Sequence, residues 1–376
     1  MIGDWFEKIQ WKQPFRYVDA VVKIGIAGVL VVIVAAWVIN GSPTKVESTQ
    51  SGYRGTGMAQ LEFESTIEEL RNDPTNQFPP SSEPYVPEEG EALAGEVYQN
   101  VQVLGHLTDA NFNRLMLALT EWVAPEQGCA YCHGNVGIEE YWKDNVYTKL
   151  VSRRMIQMTL EINANWQSHV APAGVNCYTC HRGMNVPQYI WFSPEEYPNM
   201  GPNAMYQNRA GQEVPVYASL PTNSIEALLG PDVPVDSNAI QVQARSERAA
   251  NDSFDYQTGT ELTYSLMMHF SDSLGVNCTF CHNSRSWQDW EQSPPQRENA
   301  WYGVRMVRTL NAEYLDPLRD TYPAHRLGPE GDAPKAMCST CHQGVNKPLY
   351  GASAIENWPE LVSTNPVYET ETAATE

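Results

Sequence analysis

Residues 174–181 read Gly-Val-Asn-Cys-Tyr-Thr-Cys-His, and the last five of them, Cys177 to His181, form a C-x-x-C-H motif. This pattern is the attachment site of c-type haem. One tight turn presents both thiols to an edge of the porphyrin, where they form thioethers, and the adjacent histidine binds the iron. The pattern occurs four times, with the cysteine pairs Cys129 and Cys132, Cys177 and Cys180, Cys278 and Cys281, and Cys338 and Cys341.

The histidines that close the four motifs are His133, His181, His282 and His342. All eight cysteines of the chain lie in these motifs, so the sequence predicts four covalent haems. Zinc explains less, because a zinc ribbon places its C-x-x-C pairs about 15–20 residues apart. Successive motifs here begin 48, 101 and 60 residues apart. Neither zinc nor a disulfide requires a histidine after every second cysteine.

The composition fits a large domain that packs against flat aromatic cofactors. The chain has 376 residues, with 11 Trp, 19 Tyr and 42% hydrophobic residues, enough for one large domain or two smaller ones. Its formal net charge is −21. Such a charge argues against nucleic acid as a partner. It favours docking of cationic proteins, because complementary charge accelerates association.

An apolar segment near the N-terminus, residues 18–40, predicts a transmembrane anchor. Residues 18–39 contain only two charged side chains, Asp19 and Lys23, and form a helix about 33 Å long, enough to cross the hydrocarbon core. A signal peptide has a shorter apolar core and a small-residue cleavage site. A buried core helix rarely reaches this length without polar residues. We therefore expect a retained, single-pass anchor.

The charges before the anchor predict its orientation. Four cations precede its uncharged part: Lys8, Lys12, Arg16 and Lys23. Because Lys and Arg favour the cytoplasmic side, residues 1–17 are predicted to be cytoplasmic and the chain after residue 40 to be exported. C-type haems are attached on that exported side. Residues 41–98, which are rich in Gly, Ser, Pro and acidic residues, are predicted to be a periplasmic tether.

Methionines on predicted helices are candidates for the second axial ligand of each iron. Thr108 is predicted to cap a helix that carries Met116, and residues 147–163, 261–274 and 298–314 are predicted to form helices before the other three motifs. The methionines on those three helices are Met155, Met158, Met267, Met268 and Met306. A methionine on an apolar helix face is usually a core residue, so the residues alone leave the choice open.

An internal repeat relates two halves of the haem-binding region. Residues 151–156, Val-Ser-Arg-Arg-Met-Ile, resemble residues 302–307, Tyr-Gly-Val-Arg-Met-Val. Cys-His-Arg-Gly at the second motif likewise matches Cys-His-Gln-Gly at the fourth. The repeat predicts two haem pairs related by an approximate two-fold axis. The segments are residues 99–190 for the first pair, 191–258 for the connection, 259–358 for the second pair and 359–376 for an acidic C-terminal tail.

Longer runs of sequence around the motifs resemble one family. The runs are Cys-Tyr-Thr-Cys-His-Arg-Gly, Ser-Asp-Ser-Leu-Gly, Cys-Thr-Phe-Cys-His-Asn, Arg-Met-Val-Arg and Cys-His-Gln-Gly-Val-Asn-Lys-Pro-Leu. Over residues 50–358 the chain is similar to the tetrahaem cytochrome subunit of purple-bacterial photosynthetic reaction centres. The resemblance implies a mainly α-helical multihaem cytochrome c with long irregular loops. It also implies three haems with His/Met ligation and one with two histidines.

The resemblance implies four axial pairs when it is transferred residue by residue. The pairs are Met116 with His133, Met155 with His181, Met267 with His282, and His169 with His342. His169 lies on the segment of the second haem, so it would cross to the iron of the fourth. The internal repeat alone nominates Met306 for that position, whereas the resemblance makes Met306 a core or haem-contact residue.

The other histidines, His106, His269 and His325, are predicted not to bind iron. His269 lies two residues after Met267 on the same helix, and residues i and i+2 do not share a face. Three arginines are candidate partners of the haem propionates: Arg297, Arg305 and Arg308.

The predicted ligation indicates electron transfer rather than catalysis, because a six-coordinate haem has no site for a substrate. Axial methionine raises the potential of a haem, and a second histidine does not. The resemblance implies a subunit on the periplasmic face of the L and M subunits, with H and the light-harvesting antenna, in the cytoplasmic or chromatophore membrane. It would re-reduce the photo-oxidised bacteriochlorophyll pair. Its donor would be a soluble c-type cytochrome or a high-potential iron–sulfur protein.

Two other functions are compatible with four haem motifs. A membrane-anchored donor to another periplasmic reductase would need no photosynthetic complex, so co-purification with bacteriochlorophyll distinguishes it. A multihaem enzyme, such as a nitrite- or hydroxylamine-type oxidoreductase, needs a five-coordinate haem. Cyanide or carbon monoxide would bind to such a haem, whereas every motif here has a candidate sixth ligand.

Overall fold

A computed structural model describes residues 14–40, 45–50, 59–193, 220–221, 223–240 and 256–363. Helices dominate these residues, and the strands are few and short, which confirms the prediction of a mainly α-helical chain with an N-terminal apolar helix. The chain divides into two compact units. The first comprises residues 1–48 and 61–68, and the second comprises residues 49–60 and 69–376.

Several segments named from the sequence lie partly outside the described residues. They are most of the predicted cytoplasmic segment 1–17, parts of the predicted tether 41–98, most of the predicted connection 191–258 and most of the predicted tail 359–376.

Helix α1 spans Pro14–Asn40 and contains the predicted anchor. Its stretch Tyr17–Val38 is 22 residues long, has a mean hydropathy of 2.6 and is not buried within the protein. An ion pair of 2.7 Å joins Lys23 to Asp19 one turn away, so the two charges within the apolar stretch offset each other. An unburied apolar helix of this length fits a membrane anchor.

The segment predicted as a tether contains regular elements. Strands β1 (Val46–Gln50) and β2 (Ala59–Phe63) pair in a two-stranded sheet. Helix α2 follows at Glu64–Asn72. The Lys45 carbonyl accepts a hydrogen bond from the Glu64 backbone N–H at 2.9 Å. Pro- and Gly-rich composition therefore did not make this part of the chain entirely irregular.

Ten helices of the larger unit, within the described residues, carry or surround the haem motifs. They are α3 (Ala94–Val97), α4 (Asp109–Val123), α5 (Ala130–His133), α6 (Tyr147–Asn165), α7 (Gln167–Val170), α8 (Cys177–His181), α9 (Ser224–Leu229), α10 (Tyr256–Leu274), α11 (Gln296–Thr309) and α12 (Cys338–His342). Strands β3 (Ile190–Trp191) and β4 (Lys335–Ala336) pair antiparallel, with Ile190 opposite Ala336.

The four predicted helices before the motifs are present. Thr108 caps α4 as predicted, because its side chain accepts a hydrogen bond from the Asn111 N–H. Helix α10 begins five residues before the predicted start at 261. Helix α11 ends at Thr309, and a π-helical turn over Leu310–Leu315 follows it directly. The helical stretch therefore ends close to the predicted residue 314, but its last part is not α-helical.

Among the described residues, three apolar clusters hold the larger unit together. One packs Leu115 of α4 against Tyr178 of α8 and Trp358 near the C-terminal end of the described chain. A second joins α9, α10 and α11. The third joins α6 to α11 through Ile162 and Met306. Buried apolar area of this kind is the main source of folding free energy, so it fixes the helices that carry the motifs.

A buried ion pair fastens the C-terminal segment to α4. Arg114 Nη2 lies 2.7 Å from Glu360 Oε1, both side chains are almost fully buried, and the guanidinium lies 3.9 Å from the centre of the Trp358 ring. Arg114 also donates to the carbonyls of Ser82 and Asn357 at 2.8 Å. The first residues of the predicted acidic tail therefore lie in the core.

Candidate haem-binding site

One large cavity of about 3400 Å³ lies inside the larger unit, and all four C-x-x-C-H motifs line it. A pocket for a single small ligand or cofactor measures about 300–1,000 Å³. Four pockets of that kind would occupy roughly 1,200–4,000 Å³ together. The cavity is therefore large enough for several large cofactors in one continuous space and too large for a single one.

The second and fourth motifs have the same local structure. Helices α8 and α12 each contain one turn, which brings the two cysteines of the motif to one side. Each helix ends in a residue of left-handed conformation, Arg182 with φ 49° and Gln343 with φ 50°, followed by glycine with φ 79° or 86°. A left-handed residue followed by glycine ends a helix sharply. This shared ending is the structural form of the Cys-His-Arg-Gly and Cys-His-Gln-Gly repeat.

The first and third motifs differ from this pair. Helix α5 lies between Gly128 and Gly134, which have φ 62° and 79°. The third motif begins as a 3₁₀ turn over Cys278–Phe280, capped by the Asn277 side chain. All four turns nevertheless direct their cysteines and their histidine into the same cavity.

Every motif histidine uses Nδ1 to bind a backbone carbonyl. The pairs are His133 with Tyr141 O at 3.1 Å, His181 with Met184 O at 2.9 Å, His282 with Trp287 O at 2.9 Å and His342 with Val345 O at 3.0 Å. A carbonyl can only accept, so Nδ1 carries the proton in each pair. Nε2 is then left with its lone pair, which is the arrangement found in metal-binding histidines.

His169 makes the same kind of contact. Its Nδ1 lies 3.0 Å from the carbonyl of Asn299 on α11, and its ring centroid lies 5.9 Å from that of His342. The ring rests on Gly303, where an added Cβ would lie 2.6 Å from His169 Cε1. Burial, with a further contribution from His169, lowers the pKa of His342 to about 4, so His342 is neutral and able to act as a ligand at pH 7.

The three histidines predicted not to bind iron are placed differently. His269 is buried, and both of its ring nitrogens lie 3.3–3.4 Å from Ser273 Oγ rather than near a carbonyl. His325 is exposed. His106 bonds to the carbonyl of Val103, and its buried Nε2 has no hydrogen-bond partner among the described residues. It is not among the residues that line the cavity.

The candidate methionines separate into two groups. Met116, Met155, Met158 and Met267 are half-buried and line the cavity. Met306 lines it as well, but it is only 7% exposed and belongs to the apolar cluster that joins α6 to α11. Burial and position therefore do not distinguish Met155 from Met158, whereas Met268 is not among the residues that line the cavity.

The motifs are arranged in space in the order first, second, fourth, third. Helix α6 links the first two motifs, because Ser152 Oγ lies 3.2 Å from Cys132 Sγ and Thr159, two turns further along, bonds to Cys177. The second and fourth motifs touch at Cys180 and Cys341, whose Cα atoms are 4.5 Å apart.

The fourth motif in turn packs against the end of α10, which leads into the third. The Gly344 N–H donates to the Ser273 carbonyl at 2.9 Å. A Cβ on Gly275 would lie 2.1 Å from the Gly344 carbonyl oxygen, so the two backbones approach closely and glycine is required there.

The sulfur atoms of Cys180 and Cys341 form a disulfide in this structure. A sulfur bonded to the porphyrin as a thioether has no free valence for a disulfide. These two sulfur atoms can therefore bind haem as thioethers only in a chain without this disulfide. Sequence reasoning did not find this juxtaposition, because the two residues are 161 positions apart.

The cavity wall is more basic than the acidic chain around it. Its cations are Lys149, Arg153, Arg285, Arg297, Arg305, Arg308, Arg326, Lys335 and Lys347, and its acids are Glu139, Asp236, Glu291 and Glu298. Haem carries two propionates, so an excess of cations in the wall complements the group. Of the arginines predicted to contact propionates, Arg308 is buried and donates to three carbonyls, whereas Arg297 and Arg305 lie over Trp290 and Trp301.

The C-x-x-C-H turns, the histidines with free Nε2 atoms and the basic wall together fit covalently bound c-type haem. A helical scaffold with such a site defines a c-type cytochrome. The family model described as "Photosynthetic reaction centre cytochrome C subunit" matches residues 41–362. The chain belongs to this family. It is an electron-transfer subunit of the photosynthetic reaction centre.

Relatives in other bacteria support this assignment. The chain is 48% identical over 380 residues to the photosynthetic reaction center cytochrome c subunit of Roseobacter denitrificans, a match that covers 98% of this chain and 100% of the relative. It is 43% identical to the subunit of the same name in Rubrivivax gelatinosus, with 90% of each chain covered. A more distant match, 25% identical over 66% of this chain and 69% of the relative, is cytochrome c-554 of Chloroflexus aurantiacus.

Proposed function

We propose that the chain holds four c-type haems and carries electrons from a soluble periplasmic donor to the photo-oxidised bacteriochlorophyll pair. The observation that carries the proposal is the common geometry of five histidines. The four motif histidines and His169 all line one cavity, and each uses Nδ1 to bind a backbone carbonyl. Four irons with one bis-histidine centre require five histidine ligands.

The proposed axial pairs are Met116 with His133, Met155 with His181, Met267 with His282 and His169 with His342. The contact between the rings of His169 and His342 supports the last pair. The other three pairs come from the family resemblance, and their methionines lie half-buried at the cavity wall, as Met158 also does. Met306 is then a core residue. All eight cysteines form thioethers, including Cys180 and Cys341.

Bound haem supplies reversible one-electron transfer, and methionine ligation raises its potential whereas histidine ligation does not. The positions of the four motifs in the fold set the spatial order of the proposed haems. Because the motifs lie in the order first, second, fourth, third, the proposed bis-histidine centre lies between two methionine-ligated centres. Closed axial positions leave no site for a substrate, so the chain is an electron carrier and not an enzyme.

The proposed membrane arrangement follows from α1. The helix anchors the chain in the cytoplasmic or chromatophore membrane, with the haem-binding unit on the periplasmic side, where c-type haems are attached. Its membrane partners are the L, M and H subunits and the light-harvesting antenna. Its donor is a soluble c-type cytochrome or a high-potential iron–sulfur protein, and a chain of net charge −21 favours a basic donor.

A single preparation tests these statements. We expect the chain to co-purify with bacteriochlorophyll and to carry four haems by intact mass. Low-temperature spectra of the redox-titrated complex should show three methionine-ligated centres and one bis-histidine centre. Binding of carbon monoxide to the untreated protein would reveal an open iron and support an enzyme. Purification without pigment would support a donor to a different reductase.

A further inference from the structure

The first motif differs from the other three in how its histidine is held. The carbonyl oxygen of Tyr141 receives two donors, His133 Nδ1 at 3.1 Å and Lys149 Nζ at 2.7 Å. The other motif histidines share their carbonyl with no second donor within the described part of the chain. Those carbonyls belong to Met184, Trp287 and Val345.

The ammonium group of Lys149 is fully engaged in this position. It donates to the carbonyls of Tyr141 and Lys143, at 2.7 and 2.8 Å, and lies 3.2 Å from Asp144 Oδ1. An ammonium group has three donors, so none is left for a propionate. The Lys149 side chain is only 10% exposed, and a buried ammonium is tolerated only with such partners.

The shared carbonyl has a consequence for the iron. A hydrogen bond from the Nδ1 of a ligating histidine to a carbonyl raises the basicity of the ligand. A cation on the same oxygen withdraws electron density from it, so the oxygen accepts less strongly from His133. The imidazole then donates less charge to the iron. Ferric iron, which needs that charge more than ferrous iron does, is disfavoured.

We propose that Lys149 is a positioning residue that raises the reduction potential of the haem held by His133, through competition for the Tyr141 carbonyl. This inference rests on the proposed function, because it requires that His133 bind a haem iron. It adds a contact outside the axial pair to the features that set the potential of the first centre.

The chain offers a matched control in Arg153. Its guanidinium binds Asp144 at 2.8 Å and the Asn100 carbonyl at 3.3 Å, and it does not touch Tyr141. Lys149→Met and Arg153→Met each remove one positive charge from the same network. Only Lys149→Met also returns the Tyr141 carbonyl to His133 alone, so a larger effect of that variant isolates the hydrogen bond from the charge.

The measurement is a potentiometric titration of the intact complex, with the first haem assigned through a Met116→His variant that alters its axial pair. We expect Lys149→Met to raise the oxidised-to-reduced ratio of that haem about tenfold at a fixed potential. This corresponds to a reduction potential that is lower by about 59 mV for a one-electron couple. Arg153→Met should lower the reduction potential of the first haem clearly less. The low-spin g values of the oxidised first haem should change in Lys149→Met and not in Arg153→Met.

Two results would overturn the inference directly. Equal shifts in the two variants would assign the effect to charge alone, and no shift in Lys149→Met would remove Lys149 from the tuning of the haem. If Lys149→Met does not attach the first haem, Lys149→Gln, which keeps a neutral donor, should attach it and give an intermediate potential. Loss of the first haem in Lys149→Gln as well would show that Lys149 has only a folding role. Fewer than four haems in the unaltered chain would instead contradict the proposed function.

Discussion

Gly303 on α11 provides the sharpest test of the crossing ligand. A Cβ at this position would lie 2.6 Å from Cε1, 2.9 Å from Nδ1 and 3.0 Å from Nε2 of the His169 ring. Ordinary contact begins at 3.4 Å, so Gly303→Ala requires the ring to move by roughly 0.8 Å. A functional constellation holds its geometry within about 0.5 Å. The variant should therefore separate His169 from its place beside His342.

Two effects on stability oppose each other in Gly303→Ala. Alanine stabilises a helix interior relative to glycine by about 1 kcal/mol. Overpacking costs about 1–3 kcal/mol, so the net destabilisation is at most roughly 2 kcal/mol and the chain should still fold. In a His169→Ala background the clash is absent, and the same substitution should stabilise the chain by about 1 kcal/mol. This reversal of sign, read from thermal unfolding, identifies His169 as the residue that fills the space.

The spectroscopic readout is the bis-histidine centre. Gly303→Ala should abolish its low-spin signal and shift one of the four potentials, while the three methionine-ligated centres stay unchanged. Met306→Leu on the same helix serves as the control, because Met306 packs in the apolar cluster that joins α6 to α11 and is not a proposed ligand. A Gly303→Ala chain that keeps an unchanged bis-histidine signal would refute the placement of His169 as the fourth ligand.

Three further predictions concern ligation and stability. His169→Met should alter the spectrum of one haem, whereas Met306→Leu should leave all four spectra unchanged. Glu360→Gln breaks a buried ion pair and should lower the free energy of unfolding by about 3 kcal/mol or more, measured by denaturant titration. Arg153 lowers the pKa of Asp144, so the ionised Asp144 side chain stabilises the folded chain at pH 7. Asp144→Asn should therefore destabilise the chain at pH 7, and the difference from the unaltered chain should diminish as the pH falls below about 3.9. Thermal unfolding measured against pH tests this.

Local features of the fold were predictable because their signals are local. The C-x-x-C-H turns and the cap at Thr108 depend on residues within a few positions of each other, and both are present. The end of α11 was less predictable. Its apolar pattern continues to residue 314, but the hydrogen bonding changes to a π-helical turn at Leu310–Leu315, a change that depends on packing against other elements.

Long-range features were not accessible from the sequence. Composition marked residues 359–376 as an acidic tail, yet Glu360 is buried because Arg114, 246 positions away, lies beside it. The spatial order of the motifs depends on contacts such as that between Cys180 and Cys341. The carbonyl partner of His169 is also long-range, because Asn299 lies 130 positions away in the sequence.

Ser152 and Gly303 occupy equivalent positions in the two copies of the internal repeat, and the structure shows different roles for them. In the first copy, Ser152 fills this position and contacts Cys132 of the first motif. In the second copy, glycine leaves a space that the ring of His169 occupies. One hydroxymethyl group therefore separates a helix position that contacts a cysteine of its own repeat from one that leaves space for the His169 ring. Asn299 reinforces the exchange, because its side chain donates to the Ser168 carbonyl at 3.2 Å and its own carbonyl holds His169. Serine at position 303, as at position 152, would occupy the space of the His169 ring, so the proposed pairing of His169 with His342 requires this difference between the two copies of the repeat.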